Sequence, residues 1–233
     1  MNQKTNRVLL SIPCGDGRIE ALTMLAVMNV TAAAGGCTNL GEAIPIWGDT
    51  LRGPFMLCNN SNIRDARNRI AHYFKTRTLD CDRLVMIDSD IAFSVEDFMY
   101  LLEGDEDIVI APYSKKAIGE APVEWGCGFA RVSRRVFEKL DAWMNEEGSE
   151  ALPRYFLTIA TGEQPEMAVD YFFDGAAPDG RWFGEDAGFW HWCALNDLSF
   201  RKETRTRLVH IGKFYFCYPD QTPGLIPVSA GAQ

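Results

Sequence analysis

Arg83-Leu84-Val85-Met86-Ile87-Asp88-Ser89-Asp90-Ile91-Ala92-Phe93 is the stretch of sequence that decides the fold. Its apolar run, Leu84–Ile87, has the length and composition of a buried strand, although a turn of buried helix fits the same pattern. The following Ser94-Val95-Glu96-Asp97 is a capping box, which predicts that a helix begins there and that the strand ends before it. Asp88 and Asp90 are therefore predicted at the carboxyl end of a core strand, the edge at which open α/β sheets bind ligands.

The pair formed by Asp88 and Asp90 has two interpretations. Two carboxylates at a sheet edge repel each other, and burying them is costly unless a cation or hydrogen-bond donors offset their charge. A divalent metal that holds phosphate oxygens meets that need. A strand-end turn is the alternative, because Asp and Ser are common where the backbone needs local hydrogen bonds. The stretch itself favours neither interpretation.

Length, composition and charge narrow the class of protein. The 233 residues suit one large α/β domain or two small ones, and 47% hydrophobic residues are enough for a sizeable core. The formal net charge of −9 gives no general attraction to nucleic acid or to anionic membranes, although it is compatible with a local basic patch. Nucleic acid is therefore not indicated as a partner.

Two observations predict the compartment. The apolar run Val8–Ile12 is too short for the core of a signal peptide, and no segment approaches the roughly 18 apolar residues of a membrane span. The seven cysteines include no CxxC pair, and an odd number without a secretion signal favours reduced thiols. We expect a cytoplasmic protein, located in the host cytoplasm if its source is a virus.

Strand and helix patterns alternate through the first half of the chain, as in a parallel sheet with helices on both faces. Residues 37–53 contain several glycines and no clear periodicity, so a long loop is predicted there. The predicted strands are 8–12, 55–58, 84–87, 107–112, 125–132, 167–173, 208–211 and 214–216. The predicted helices are 19–34, 62–77, one from the Ser94 capping box, one capped by Ser133, and 185–198.

Three acidic or histidine features recur at predicted edges: Asp88-Ser89-Asp90, then Glu185-Asp186 at a helix start, then His210 and Lys213 at a strand end. Carboxylate and imidazole ligands suit Mn²⁺ or Mg²⁺ better than a soft metal. Such a metal can bridge the phosphates of a nucleoside diphosphate and stabilise it as a leaving group, with Lys213 adding positive charge. A carboxylate at 185 or 186 that is not a ligand can take a proton from an acceptor hydroxyl.

Each feature also has a purely structural interpretation. Glu185 and Asp186 can cap a helix and favour its dipole. A histidine in an apolar strand, such as His210, is more often a hydrogen-bonded core residue than a ligand, and a lysine is most often solvated. The ordered combination of the three is what favours a metal and diphosphate site over a simple turn.

The chain resembles the GT-A glycosyltransferases, in particular small nucleotide-sugar-dependent enzymes of phages, large DNA viruses and bacteria. The resemblance extends from Val8 to about Phe216 and depends on six motifs in order, which is a far more specific signal than a lone DxD. The motifs are Ser11-Ile12-Pro13-Cys14; Ile63–Asn68, like the family's aRN helix start; Ile87–Asp90, like DxD; Gly126–Phe137, like GxGFxLIrRxVF; Gly184–Phe189, like sEDxxF; and His210–Lys213, like HxG.

The resemblance implies which residues bind the donor. Ser11 and Pro13 lie in the first strand and its loop, where such enzymes hold the nucleoside. Arg67 would reach the donor, and Lys213 would approach its diphosphate. The family's first loop varies widely, so this segment does not identify the nucleobase.

The resemblance also implies the metal ligands and the base. Asp90 would bind the metal directly, with His210 as a further ligand. Asp88 would contact either the metal or the ribose and sugar of the donor. Asp186 or Glu185 would face the acceptor and act as the base if the enzyme inverts.

The resemblance implies an α/β fold: a single GT-A, Rossmann-like domain with a mixed, mainly parallel central sheet and helices on both faces. One glycosyltransferase domain is expected over residues 1–233. It has a nucleotide-sugar-binding half at about 1–110, an acceptor-binding half at about 111–218 and a mobile tail at 219–233. The expected reaction transfers a sugar from a nucleotide-diphosphate sugar, with UDP-sugars favoured, to a hydroxyl of a glycan, a protein or a modified nucleobase.

Two other functions stay open. Gly15-Asp16-Gly17-Arg18 faintly resembles the phosphate loop of sugar-phosphate nucleotidyltransferases, but it lacks the Gly-Gly start and the Thr before Arg. A non-catalytic carbohydrate-binding module is the other alternative, in which the acidic pair only binds a cation. Phe172, Phe173 and Trp182 can either flank an acceptor sugar or pack a loop onto the core.

Overall fold

The predicted strand at Leu84–Ile87 lies in the middle of the central sheet. The computed structural model describes residues 7–15, 17–33, 44–46, 49–58, 60, 62–115, 123–146, 154–157, 164–176, 180, 182–212, 214–217 and 225–227. The helices are α1 (Ala21–Ala33), α2 (Ile63–Arg77), α3 (Val95–Leu102), α4 (Arg134–Glu146) and α5 (Glu185–Leu195). The strands are β1 (Arg7–Cys14), β2 (Ile44–Ile46), β3 (Asp49–Cys58), β4 (Arg83–Ile87), β5 (Ile91–Ala92), β6 (Ile108–Ile110), β7 (Phe129–Ser133), β8 (Arg154–Leu157), β9 (Glu166–Val169), β10 (Gly175–Ala176), β11 (Trp182–Phe183), β12 (Phe200–Lys202), β13 (Val209–Ile211), β14 (Phe214–Cys217) and β15 (Leu225–Pro227).

Seven strands form the central sheet in the order β12-β6-β7-β4-β1-β3-β2. β3, β1 and β4 are parallel to one another, and β12 is parallel to β6. β6 and β4 are both antiparallel to β7, so these five strands share one direction, and β7 and β2 run against them. The predicted fold class is confirmed: the fold is α/β with a mixed, mainly parallel sheet and helices on both faces.

The central sheet is buried on both faces. Val85 and Ile87 of β4 belong to one hydrophobic cluster with α1 and α3, whereas Leu84 and Met86 belong to the other with α2, α4 and α5. All four side chains are fully buried, which stabilises the fold by roughly 1.5–3 kcal/mol for each. A strand with two buried faces needs an uninterrupted apolar run, and this explains the composition of the segment.

Two helices begin at the caps that the sequence predicts. The Ser94 hydroxyl accepts from the Asp97 N–H at 3.0 Å, and the Asp97 carboxylate accepts from the Ser94 N–H at 2.8 Å, which completes the capping box of α3. Asn62 caps α2 by accepting from the Asp65 N–H at 3.3 Å. Each cap stabilises its helix by about 1 kcal/mol. The second cap fixes the start of α2, just over one turn before Arg67.

A smaller sheet, in the order β15-β14-β13-β5, connects the middle of the chain with its late segments. β5 follows Asp90 directly and pairs antiparallel with β13, so that His210 lies opposite Ile91. The Ile211 N–H donates to the Asp90 carbonyl at 2.8 Å. This pairing brings the DxD and HxG motifs to the same place.

Several predicted elements differ in detail from those of the structure. Within the predicted loop 37–53 lie β2 and the first half of β3, because the pairing of β3 along β1 outweighs weak local propensity. Ser133 ends β7 and directly precedes α4, which begins at Arg134, and its hydroxyl donates to Asp107 at 3.3 Å; its predicted role as the cap stays a prediction. The predicted strand 125–132 begins only at Phe129, after the glycines that lie against Tyr113.

The remaining predictions concern membrane spans, the cysteines, the division of the domain and the tail. In the part of the chain that the structure describes, no helix is both long and apolar enough to cross a bilayer. The five cysteines with described side chains are free thiols. The division at about residue 110 stays a prediction, and most of the predicted tail, apart from β15, lies outside the described residues.

Candidate active site

The guanidinium of Arg67 is the centre of the candidate site. Arg67 is 2% exposed and donates through Nη2 to Asp88 at 3.0 Å. Its Nη1 donates to Glu185 at 2.9 Å and also to Asp186. One buried cation on α2 therefore joins the DxD motif to the ED motif. Its predicted contact with the donor stays a prediction.

Backbone hydrogen bonds fix Asp88 at the carboxyl end of β4. Its N–H donates to the Gly128 carbonyl at 2.9 Å, and its own carbonyl accepts from the Ile91 N–H at 3.2 Å. The close approach requires glycine at 128, because a Cβ there would lie 2.7 Å from both the Asp88 Oδ2 and the Tyr113 hydroxyl. The DxD turn is thus held against the segment that enters β7.

Glu185 and Asp186, in the first turn of α5, differ in how many of their carboxylate oxygens accept hydrogen bonds. Asp186 uses both oxygens, since Oδ1 accepts from Arg67 and Oδ2 accepts from the Cys127 N–H at 3.0 Å. Glu185 accepts from Arg67 through Oε1, and the hydrogen bonds among the described residues leave Oε2 unused. Their side chains are 26% and 24% exposed, respectively. Asp186 is therefore fixed at both oxygens, whereas Glu185 keeps one oxygen for a ligand.

The cluster contains more negative than positive charge. Burial lowers the pKa of Arg67, but Asp88, Asp186 and Glu185 outweigh this effect and raise it well above its ordinary value. Burial raises the pKa of Asp88; Arg67 opposes this rise, and Asp186 and Asp90 add to it. Because the ionised form of Asp88 is disfavoured overall, the site would gain from an additional cation.

Asp90 and His210 form a second group beside Asp88. The His210 Nε2 lies 3.4 Å from the Asp90 Oδ1, and the His210 Nδ1 lies 2.6 Å from the Ser114 carbonyl. A carbonyl only accepts, so in the neutral ring Nδ1 has the proton and Nε2 presents a lone pair near Asp90. Histidines that bind metals are commonly oriented by such a bond from the other ring nitrogen.

The donor set fits a hard divalent cation in part. Asp90 and the His210 Nε2 are an oxygen and an imidazole ligand of the kind that Mn²⁺ accepts. Asp88 adjoins them, but its Oδ1 already accepts from Arg67. Among the residues with described positions, no group of three or more His, Cys, Asp or Glu side chains is arranged around one metal position. The ligand set Asp88, Asp90 and His210 stays a prediction.

The predicted nucleoside-binding residues lie in β1. Ser11 and Pro13 are buried. The Ser11 hydroxyl donates to the Val85 carbonyl at 2.9 Å, so this side chain links β1 to the neighbouring strand β4. The segment after β1 reaches the DxD turn, because the Glu20 N–H donates to the Ser89 carbonyl at 2.9 Å. Lys213 lies outside the described residues. The donor-binding role of these residues stays a prediction.

Two residues of the site carry no predicted role. Cys127 is fully buried beside Asp186, and burial, with Asp186 adding to it, raises the pKa of its thiol. Tyr113 meets the His210 ring edge-on at 5.3 Å between centroids, and burial raises the pKa of its hydroxyl. Cys127 lies inside the motif that begins at Gly126, whereas Tyr113 has no local sequence signal because its position depends on strand pairing.

The aromatic residues near the ED motif separate into packing and surface roles. Phe172 is fully buried and stacks on Phe189 at 4.4 Å between centroids, so it packs its segment onto the core. Phe173 lies under the guanidinium of Arg64, with 5.0 Å from the ring centroid to Cζ. Trp182 is 71% exposed.

Comparisons with known proteins give the fold and little more. No protein-family model matches the chain, and no curated protein matches it in sequence. The crystal structure of A197 from STIV is similar to this chain with a TM-score of 0.54 and 13% identity, over 97% of this chain and 96% of that one. A glycosyltransferase involved in the glycosylation of the major capsid of PBCV-1 is similar with a TM-score of 0.32 and 12% identity, over 60% and 67% of the two chains. The first likeness supports the α/β fold alone, and the second is too low to support an activity.

Proposed function

We propose that this protein is a metal-dependent glycosyltransferase that moves a sugar from a nucleotide-diphosphate sugar, preferably a UDP-sugar, to a hydroxyl acceptor. The observation that carries the proposal is the convergence of the DxD and ED carboxylates on Arg67, next to Asp90 and His210. The cluster lies at the carboxyl edge of the parallel strands, where α/β folds bind ligands. Carboxylates that served only as helix caps would not need a shared buried cation.

The donor side of the proposed site is formed by Asp90 and His210, which would hold Mn²⁺ or Mg²⁺. When bound, the cation offsets the negative charge of the two phosphates and makes the diphosphate a better leaving group. Asp88 adjoins this side, and its Oδ1 accepts from Arg67, which holds the carboxylate in place. Ser11, Pro13 and Lys213 remain proposed donor contacts.

The acceptor side is formed by Glu185. Its Oε2 takes the proton of the acceptor hydroxyl while the acceptor oxygen bonds to the anomeric carbon of the donor sugar. The bond from that carbon to the diphosphate oxygen breaks, and the nucleoside diphosphate leaves with the electron pair. Such a direct displacement inverts the anomeric configuration. Asp186, fixed at both oxygens, positions Arg67 and the turn at Cys127.

The test is an assay of nucleoside diphosphate release from UDP- and GDP-sugars in the presence of Mn²⁺. We expect one donor to be hydrolysed slowly, and Asp90→Asn to reduce that rate by about 100-fold without changing the melting temperature. Asp80→Asn, at a surface pair with Arg7, is the matched control and should leave the rate unchanged.

Two results would redirect the proposal. If no nucleotide sugar shifts the melting temperature, with or without metal, the function is wrong. If the protein instead consumes a nucleoside triphosphate and a sugar 1-phosphate and releases pyrophosphate, it is a nucleotidyltransferase.

A further inference from the structure

A polar cavity of about 300 Å³ lies beside the carboxylate cluster, on the side of α2. We propose that it is a saccharide-binding subsite that holds the acceptor sugar; its catalytic role rests on the proposed function, and its ligand class rests on the cavity itself. The lining residues come from α2, from β8 and from the segment after β9. They are Asn62, Arg64, Asp65, Asn68, Tyr155 and Asp170.

The lining groups match the chemistry of sugar hydroxyls. Amide, carboxylate and guanidinium groups are planar and offer paired donors or acceptors, and each hydroxyl of a sugar both donates and accepts. Tyr155 contributes a hydroxyl and an aromatic ring. A pocket with a few fixed polar groups and apolar ring surface is typical of small-ligand sites, and about 300 Å³ is the low end of their range. The size favours one sugar ring.

Charge distinguishes this cavity from a phosphate site. Arg64 is the cation among the lining residues, and it donates to both Asp170 and Asp174. Asp65 adds another negative charge to the lining. The cavity is therefore negative overall, and it repels an anionic ligand such as a phosphate.

The carboxylates of the cavity also do not form a cation site. Asp170 accepts from Arg64 and from the Asn68 amide, and Asp65 accepts from Asn60 and Arg69. Their charge is already offset by N–H donors, so a metal would have to displace these bonds. A neutral ligand with many hydroxyls is the class that the cavity fits.

The polar groups are held in place before a ligand arrives. The Asn68 Oδ1 accepts from the Phe172 N–H at 3.1 Å, while its amide donates to Asp170. The Tyr155 hydroxyl donates to Asp65 at 3.3 Å, and burial raises its pKa, so the hydroxyl keeps its proton. Side chains fixed in this way lose little conformational entropy when a sugar binds.

The cavity and the cluster that contains the proposed base are connected through α2. Arg64 and Arg67 lie three positions apart on α2 and therefore share a face, so the cavity and the carboxylate cluster are one helical turn apart. The segment that follows Asp170 packs directly on α5, because a Cβ at Gly188 would lie 2.4 Å from the Phe173 carbonyl. The wall of the cavity that contains Asp170 thus continues into a segment that packs on α5, the helix whose first turn contains Glu185.

The experiment measures binding by saturation-transfer NMR with a panel of methyl glycosides of glucose, galactose, mannose, N-acetylglucosamine, xylose and rhamnose. The variants are Tyr155→Phe and Asp65→Asn, each of which removes one hydrogen-bonding function with little change in shape. Glu96→Gln, in a separate cleft beside α3, is the control. Release of nucleoside diphosphate from the donor is followed in parallel, and melting temperatures check that every variant folds.

The proposal expects one or more glycosides to bind the wild type, to bind at least about tenfold more weakly to both cavity variants, and to bind Glu96→Gln normally. It also expects the bound glycoside to accelerate nucleoside diphosphate release. If the donor is hydrolysed but no glycoside binds, or if binding survives in both cavity variants, the subsite is wrong and the proposed function stands. If glycosides bind as expected but no nucleotide sugar does, the subsite stands and the proposed function is wrong. Competition by a short oligonucleotide at the same residues would overturn the ligand class.

Discussion

At the amino end of the central sheet, Asp107 precedes β6, and at the carboxyl end, Asp88 follows β4. Asp107 is 4% exposed and accepts from the Ser199 N–H at 3.0 Å, from the Ser199 hydroxyl at 2.9 Å and from Arg135 at 2.7 Å. Burial raises its pKa, but Ser199 and Arg135 outweigh burial, so the net pKa is lowered. Asp88 shares one guanidinium with two other carboxylates, and its pKa is raised.

The difference between the two pKa shifts distinguishes an acidic residue that stabilises the fold from one that does not. The protein stabilises the ionised form of Asp107 and destabilises that of Asp88, although both lie at strand ends. A carboxylate that costs stability is expected where a ligand supplies the missing positive charge. Four changes test this comparison, and they follow from the largest to the smallest expected effect on stability.

Arg67→Met should have the largest effect. Removing the guanidinium leaves three partly buried carboxylates without their shared cation, and we expect the free energy of unfolding to fall by about 3–5 kcal/mol. Urea denaturation at neutral pH measures this loss. Arg7→Met, which removes the exposed pair with Asp80, is the control and should cost at most about 1 kcal/mol. A loss at Arg67 no larger than the control would show that the cluster is not held by this residue.

Asp107→Asn should cost about 2–3 kcal/mol, because it weakens several charge-assisted hydrogen bonds at a buried position. The folded pKa is lowered, so the stability from the ionised group is present above the unfolded pKa and is lost as pH falls through the folded pKa. The difference between wild type and variant should therefore shrink in acid. Urea denaturation at several pH values measures it, and donor hydrolysis should be unchanged. A difference that grew in acid would contradict the assignment.

Asp88→Asn should leave stability unchanged or raise it by up to about 1 kcal/mol, while donor hydrolysis is lost. The folded pKa of Asp88 is raised, so the contribution of its protonated form is fully present below the unfolded pKa and is lost as pH rises through the folded pKa. The advantage of the variant should appear at neutral pH and vanish in strong acid. Thermal melts of the wild type and the variant at several pH values measure this difference in stability. A clear destabilisation of the variant at neutral pH would contradict the assignment of Asp88 as a carboxylate that costs stability.

Glu185→Gln should change stability by less than about 0.5 kcal/mol, because Oε1 can still accept from Arg67. Transfer to an acceptor should fall by about 100-fold or more. Asp186→Asn is the matched variant and should instead lower stability, since both of its oxygens are bonded. If Asp186→Asn abolishes transfer at unchanged stability and Glu185→Gln does not reduce it, the roles are reversed.

The sequence is sufficient for the parts of the fold that local physics determines. Four apolar residues before Asp88 predict a strand buried on both faces, and Ser94 with Asp97 predicts the start of α3 through groups three residues apart. The acidic pairs are recognisable because polar groups that follow an apolar run lie at a sheet edge. Each of these inferences needs only a short window of sequence.

The rest depends on partners that are distant in the sequence. The resemblance assigns Arg67 to the donor, and only the folded chain shows that it meets Asp88 and Asp186. Ser133 directly precedes α4, and only the folded chain shows that its hydroxyl donates to Asp107, which strand pairing places within reach. Tyr113 enters the site through the pairing of its backbone with Val123. No local pattern encodes such contacts.

The convergence on Arg67 also sets the order in which a growing chain completes its site. Asp88 lies 21 positions after Arg67, whereas Asp186 lies 119 positions after it. While the ribosome is still making the segment between them, Asp88 is the only one of the three carboxylate partners that Arg67 can meet. Under the proposed function, a fragment released before α5 has neither Glu185 nor His210. A translation product that ends before α5 therefore cannot transfer sugar, and activity appears only after His210 has been synthesised.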